Sequence, residues 1–335
     1  MRILIIEVNW LGDVLFSTAA IRHLREKFPQ SFIAALVVPR VKEVLENNPY
    51  INELIINDEG GRHKGFFGAL RLAGELKEKR FDLAVLFHRS FTRALITYLA
   101  GIRKRAGYRT SKRWFLLTSS TAMPKKDSAH RVDYYLGIVE SLGCNRDDKF
   151  YEFFTSEKDE EYIEDFLRKE KVTSDDFVVC LNPGGNWEPK RWPKENFSRL
   201  ADKLIAEHKI KVILAGGQED TGIILEITRQ MEYNPIIAAG ITNLKQSACL
   251  FRKVNLVISA DSGPLHIAAA TGANVIGLFG PTSPSITGPI GRGKIRVVHK
   301  GSGCSIPCYD KDCNNNRCMQ EITVEDVLSE VKSFL

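Results

Sequence analysis

The fold can be read from Ser259-Ala-Asp-Ser-Gly-Pro-Leu-His-Ile-Ala-Ala-Ala-Thr-Gly-Ala-Asn-Val-Ile-Gly-Leu-Phe-Gly-Pro-Thr282. The apolar run 254–258 that leads into it is short, branched and bounded by polar residues, which predicts a strand buried in a parallel sheet. Ser262 has the chemistry of an N-cap, and Pro264 suits the first helical position, where its missing N–H is not needed. The helix to Ala270 has a small face that can lie close on a sheet, and Gly272 ends it. A second strand, 274–279, runs into the turn Gly280-Pro281-Thr282. Strand, capped helix start and strand make a βαβ unit.

Such a unit presents a helix N-terminus, with free N–H groups and a positive dipole end, to an anion. Asp261, Ser262, Gly263 and His266 are the candidate contacts, His266 being within reach as a second donor in the first turn. The competing reading is an ordinary turn of a doubly wound domain, with His266 satisfying a backbone carbonyl.

The remainder of the chain repeats the pattern. Strand runs at 2–8, 32–38, 51–56 and 83–87 alternate with helical spacing such as Val14, Ile21, Leu24 and Phe28, and with the amphipathic stretch 92–99. A charged stretch, 151–171, reads as the link between domains, and a second series follows at 177–181, 211–215, 236–239 and 295–299. Alternation of this kind gives an α/β class with two mainly parallel sheets. The expected domains are 1–155 and 156–335, each Rossmann-like and doubly wound.

A chain of 335 residues is too long for one ordinary core, and 44% hydrophobic with 26% charged residues excludes a disordered polar chain. No run of about eighteen apolar residues occurs. Glu7 interrupts the apolar N-terminus, so it reads as a first strand of a cytoplasmic protein, not as a signal peptide. The net charge of +6 is uneven: 62–131 holds seventeen Lys or Arg against four Asp or Glu, a local +13, leaving the remainder at −7. That imbalance implies an anionic partner for the N-terminal half.

Asp-Ser-Gly-Pro-Leu-His-Ile-Ala-Ala-Ala-Thr-Gly followed by Leu-Phe-Gly-Pro-Thr resembles the signature of glycosyltransferase family 9, the ADP-heptose:lipopolysaccharide heptosyltransferases and their relatives. Further motifs agree. Pro183, Gly184, Lys190, Trp192 and Pro193 match the family's Pro-Gly, short loop and Lys-x-Trp-Pro, and Gly12-Asp13-Val14-Leu15 matches its Gly-Asp loop after strand one. The resemblance implies a GT-B architecture with two domains facing across a cleft. It also implies a metal-independent inverting transferase with no cofactor beyond its ADP-sugar substrate, ADP-heptose as donor and the lipopolysaccharide inner core as acceptor.

The resemblance gives roles to residues that also have plainer readings. Asp13 becomes the base, otherwise a helix cap. Gly184 and Gly185 let backbone approach a phosphate, and Lys190 places a charge on the diphosphate, otherwise a solvated loop lysine. Glu219, preferred over Asp220, accepts from ribose hydroxyls. Arg62, Lys64, Arg89, Arg93 and Arg113, with Trp114 and Phe115, suit an anionic lipid-anchored acceptor at the inner face of the cytoplasmic membrane. No nucleic-acid module accompanies them. The alternatives are another donor or acceptor within the family, a GT-B nucleotide-sugar epimerase, or a non-catalytic nucleotide-sugar or lipid A binding protein.

Cys304, Cys308, Cys313 and Cys318 fall in one polar stretch. Zinc, two disulfides or free thiols are each compatible with the spacing, but no Cys-x2-Cys pair is present, and the loop reads as structural.

Overall fold

Short apolar runs separated by amphipathic ones place strand and helix by turns along the chain. The computed structural model, which describes residues 1–301 and 303–335, divides into two units, Met1–Phe154 and Thr155–Leu335. In the first unit β1 (Arg2–Ile6), β2 (Phe32–Val37), β3 (Glu53–Ile56), β4 (Leu83–Leu86), β5 (Lys104–Tyr108) and β6 (Ser119–Thr121) form a sheet of order β3-β2-β1-β4-β5-β6. Every pairing is parallel; Ile3, for example, lies between Ile33 and Leu83. Ile3, Leu4 and Ile5 are wholly buried, as a central strand covered on both faces requires. The helices are α1 (Leu11–Lys27), α2 (Lys42–Leu45), α3 (Gly65–Glu78), α4 (Phe91–Leu99) and α5 (Arg131–Glu140); α1 packs on α5 and α3 on α4.

The second unit repeats the plan. Its strands β7 (Val178–Asn182), β8 (Lys211–Leu214), β9 (Ile236–Ile237), β10 (Leu256–Ala260), β11 (Val275–Phe279) and β12 (Ile295–His299) run in the order β12-β11-β10-β7-β8-β9, again all parallel. The helices are α6 (Glu157–Lys169), α7 (Lys194–His208), α8 (Thr221–Gln230), α9 (Leu244–Lys253), α10 (Gly263–Ala270), α11 (Pro284–Thr287), α12 (Arg317–Gln320) and α13 (Val324–Val331). Trp192 is buried against Phe197 and donates from Nε1 to the Ile322 carbonyl at 2.8 Å, fastening the C-terminal segment beside the loop after β7. Among the described residues, no helix is long and apolar enough to cross a membrane.

Several sequence expectations need correction. α6 is part of the second unit and not a link: Tyr162 donates to the Ile241 carbonyl at 2.8 Å, and Glu164 pairs with Lys253 at 2.8 Å. Val254 is the C-cap of α9 and Asn255 lies in a bend after it, so β10 starts at Leu256, two residues later than its apolar run. β5 escaped notice because it lies in the basic run Arg103-Lys104-Arg105; only Ala106, Gly107 and Tyr108 turn fully inward. The four C-terminal cysteines carry free thiols around one cavity of about 40 Å³. Among the described residues no three His, Cys, Asp or Glu side chains form a metal-holding group. Cys318 instead packs with Met319 beneath the turn after β11. A Cβ on Gly280 would lie 2.4 Å from Met319 Sδ and 3.1 Å from Cys318 Sγ.

Arg113 is the plainest correction. Its side chain is wholly buried, and its guanidinium donates to the Tyr108 carbonyl at 2.8 and 3.1 Å and to the His88 carbonyl. It fastens the loop after β5 to the end of β4 and cannot face an acceptor. Arg113→Ala leaves two inward carbonyls without donors, at about 1–3 kcal/mol each. A thermal melt should show a loss of several degrees, and an unchanged melt would contradict this role.

Candidate functional site

In each sheet the strand order reverses once, between β1 and β4 in the first unit and between β7 and β10 in the second. Loops leaving two such strands diverge to opposite faces, and the crevice outside their carboxyl ends is where open α/β sheets bind ligands. Both groups of sequence-predicted residues converge on these two points.

In the first unit the crevice is a pocket of about 550 Å³ whose lining includes Asn9, Asp13, His88 and Tyr135. Asp13 stands in the first turn of α1, which begins at Leu11, and Trp10 is the N-cap; Asp13 therefore does not cap the helix. Its Oδ1 accepts from the Tyr135 hydroxyl at 3.0 Å, which leaves Oδ2 for a ligand. Burial, the Asp13 charge and that hydrogen bond all push Tyr135 well above the ordinary phenol range, so it remains a donor. His88 accepts from the Ser90 N–H at Nδ1, which puts its proton on Nε2. Burial, with Arg93, Arg113 and Arg89 nearby, pushes its pKa down to about 4, so at neutral pH it is an uncharged imidazole. Among the described residues Asn9 Oδ1 and the Tyr134 hydroxyl, buried in this lining, have no hydrogen-bond partner, as expected of groups that meet a polar ligand.

Behind Asp13 lies Glu7, 2% exposed at the end of β1, accepting from Ser17 Oγ at 3.0 Å and from the Val8 N–H at 3.2 Å. Burial outweighs these bonds and pushes its pKa up to about 8. Glu7 is therefore protonated at neutral pH.

The basic residues expected on this side divide. Arg89 is exposed and lines the pocket, together with Arg40 and Arg131, which sequence reasoning had not selected. Arg40 lies outside the basic run and is held by the Asn9 carbonyl at 2.8 Å. Arg93 is buried, pairs with Glu59 at 2.8 Å and lines an adjoining groove. Arg62 is bound to Glu75 at 2.6 Å, whereas Lys64 is exposed at the start of α3. A single uniformly basic face is thus replaced by a mixture of internal fasteners and surface charges.

At the second reversal, Asp261 follows β10 and is 4% exposed. Its carboxylate receives Lys190 Nζ at 2.8 Å, His266 Nε2 at 3.0 Å and Thr287 Oγ1 at 3.3 Å. Burial opposes the charge, but the His266 hydrogen bond and the His266 and Lys190 charges hold this carboxyl well below the usual range. His266 Nε2 therefore turns to a side-chain carboxylate. Ser262 is the N-cap of α10 without a side-chain capping bond; its Oγ lies 3.2 Å from Ser259 Oγ, while the first turn from Gly263 leaves N–H groups without intrahelical partners.

The two glycines after β7 have different reasons. A Cβ on Gly184 would lie 2.3 Å from the Asp220 carboxylate, so Gly184 makes room for a side chain and not for a phosphate. Gly185, at φ +155, adopts a backbone that favours glycine. Asp220 caps its own loop by accepting from the Gly217 N–H at 2.9 Å, which leaves Glu219 as the exposed acid. Asn182 Oδ1 at the end of β7, Trp187 Nε1 in the loop after it and Thr282 Oγ1 in the loop after β11 are buried without partners among the described residues. A set of unsatisfied donors and acceptors around a Lys–Asp–His cluster suits a polar anionic ligand.

The sequence profile of glycosyltransferase family 9 (heptosyltransferase) matches residues 69–318. Lipopolysaccharide heptosyltransferase 2 of Escherichia coli is 28% identical over 348 aligned positions, covering 100% of this chain and 99% of that protein. The crystal structure of a family 9 glycosyltransferase from Veillonella parvula superposes with a TM-score of 0.86 at 26% identity, covering 99% of this chain and 96% of that one. The structure of E. coli ADP-heptose lps heptosyltransferase II gives 0.79 at 27%, covering 100% and 98%.

Glu7 offers a direct test of the first crevice. Between pH 4.5 and about 8 the folded chain keeps a proton that the unfolded chain has released. Its contribution to stability therefore falls as pH rises through that window, by up to about 1.4 kcal/mol per pH unit. Glu7→Gln, uncharged throughout, should give a flatter Tm-against-pH curve than the parent; parallel curves would mean that Glu7 is ionised in the fold.

Proposed function

Because the chain belongs to glycosyltransferase family 9, the heptosyltransferases, we propose that it is an inverting, metal-independent enzyme moving heptose from ADP-heptose to the lipopolysaccharide inner core. The observation that carries this reading is chemical division between the two strand-order reversals. One holds a carboxylate oriented by a phenol, and the other holds a buried carboxylate that gathers a lysine and a histidine.

In the proposed reaction an acceptor hydroxyl oxygen bonds to the anomeric carbon as the bond from that carbon to the diphosphate breaks. ADP leaves with the electron pair, and the hydroxyl proton passes to Asp13. Tyr135 orients the base through Oδ1. Lys190 and His266, oriented by Asp261, meet the charge growing on the diphosphate, which supports a reaction without a metal or other cofactor. Gly185 and the N–H groups from Gly263 bring backbone donors to the phosphates, Ser262 adds its hydroxyl, and Glu219 receives ribose hydroxyls. Arg89, with Arg40 and Arg131, takes the anionic acceptor, and Lys64 and Arg62 lie farther out. An acceptor carried on a lipid gives the protein a peripheral position on the inner face of the cytoplasmic membrane.

Purified protein with ADP-heptose and inner-core acceptor, followed by mass spectrometry, tests the reading. Donor consumed without acceptor would mark an epimerase, and donor bound without turnover a binding protein. Asp13→Asn should slow transfer by roughly a hundredfold or more with ADP affinity retained; parental turnover would remove Asp13 from the mechanism. Lys190→Ala should weaken ADP binding by about 1.5–3 kcal/mol and narrow the preference for ADP over AMP in calorimetry. An unchanged preference would place the diphosphate elsewhere.

A further inference from the structure

The first unit exposes an apolar surface that the proposed chemistry leaves unused. Phe66 and Phe67, at the start of α3, are 70% and 82% exposed, and Trp114 and Phe115, in the single helical turn after β5, are 53% and 58% exposed. Phe91, Tyr98 and Leu99 on α4 and Leu70 on α3 are exposed as well.

These side chains are contiguous. The Phe66 and Phe67 rings lie 5.6 Å apart, Phe91 and Phe115 6.4 Å, and Trp114 and Phe115 6.0 Å. Phe66 and Leu70 face Phe91 and Leu99 across a groove of about 660 Å³ between α3 and α4. Water-facing aromatic residues in such a row are costly to maintain, and a contiguous patch of this kind marks an interaction surface.

Its border identifies the occupant. Lys64 and Arg71 at α3, and Arg103, Lys104, Arg109 and Lys112 between α4 and the Trp114 turn, are all exposed. Two guanidinium groups stand by the patch rings, Arg109 5.7 Å from the Trp114 centroid and Arg105 5.3 Å from Tyr98. The nearby acids Glu59 and Glu75 are occupied by Arg93 and by Arg62 with His63. Protein interfaces are depleted in lysine at the patch, whereas aromatic rings with interleaved Lys and Arg match the apolar boundary and negative headgroups of an anionic bilayer.

We infer that the N-terminal end of α3, the outer side of α4 and the Trp114–Phe115 turn insert into an anionic membrane, with Phe66, Phe67, Trp114 and Phe115 entering the acyl boundary. This deepens, and rests on, the proposed reading of an enzyme with a lipid-borne acceptor. It adds an apolar, salt-resistant component to an attraction that charge alone would make fully salt-sensitive.

The test uses the full chain and vesicles of phosphatidylcholine, with or without phosphatidylglycerol. The parent should float with the anionic vesicles and keep a bound fraction at high salt, and brominated acyl chains should quench a fluorescence component that is missing in Trp114→Phe. The double variant Phe66→Ser/Phe67→Ser should melt like the parent but partition at high salt roughly ten- to a hundredfold more weakly, the scale of one or two ring burials. Its transfer of heptose to a deacylated, water-soluble acceptor should be unchanged. Unaltered partitioning in the double variant, absent quenching, or a concentration-dependent dimer lost in that variant without vesicle binding would each overturn the inference. Absence of transfer by the parent itself would instead count against the proposed enzyme while leaving the vesicle result interpretable.

Discussion

A parallel strand covered by helices on both faces has only its ends free for chemistry, and this constraint organises the whole chain. Each sheet must send its crossovers to both faces, so each has one place where neighbouring strands hand the chain in opposite directions. β1 with β4, and β7 with β10, are those places. The loops leaving them carry Asp13 and His88 in one unit and Lys190, Asp261 and His266 in the other. The core makes these positions stiff: β1 and β10 lie mid-sheet, and Ile5 and Ile258 are wholly buried a few residues before the polar groups begin.

Charge is handled differently at the two ends. At Asp261 a carboxylate is kept ionised inside the protein because two cationic or protonatable neighbours face it, an arrangement that compensates its desolvation and keeps Lys190 from wandering. At Glu7 no cation is supplied, and the group keeps its proton instead. Asp13 shares its pocket with a phenol that stays a donor and an imidazole that stays neutral.

The architecture was legible because apolar runs and helix boundaries repeat with the right periods, and because the stretch around Asp261 carries both strand and helix signals. Lys190, His266 and Asp13 were legible through their motifs. What those motifs hid were the partners of Asp13 and Lys190: Tyr135 lies 122 residues from Asp13, and Asp261 lies 71 residues from Lys190, separations that no local pattern can bridge. Basic composition misled most. A guanidinium reads as surface charge in a sequence, yet Arg113 spends its donors on internal carbonyls and Arg93 on Glu59. Gly184 looked like room for a phosphate because the residue that fills the room, Asp220, comes from another loop.

The bond from Trp192 to the Ile322 carbonyl bears on how the protein is made. The loop holding Lys190 rests on Trp192, and Trp192 rests on a carbonyl 130 residues farther along. During synthesis the first unit has all of its strands long before that carbonyl emerges, and domains formed first fold first. The second unit waits, with the indole and the inner side of β11 lacking their cover, until α12 and α13 arrive. The second sheet is consequently assembled before the segment that covers it, and the Lys190 loop is completed only once Ile322 has emerged.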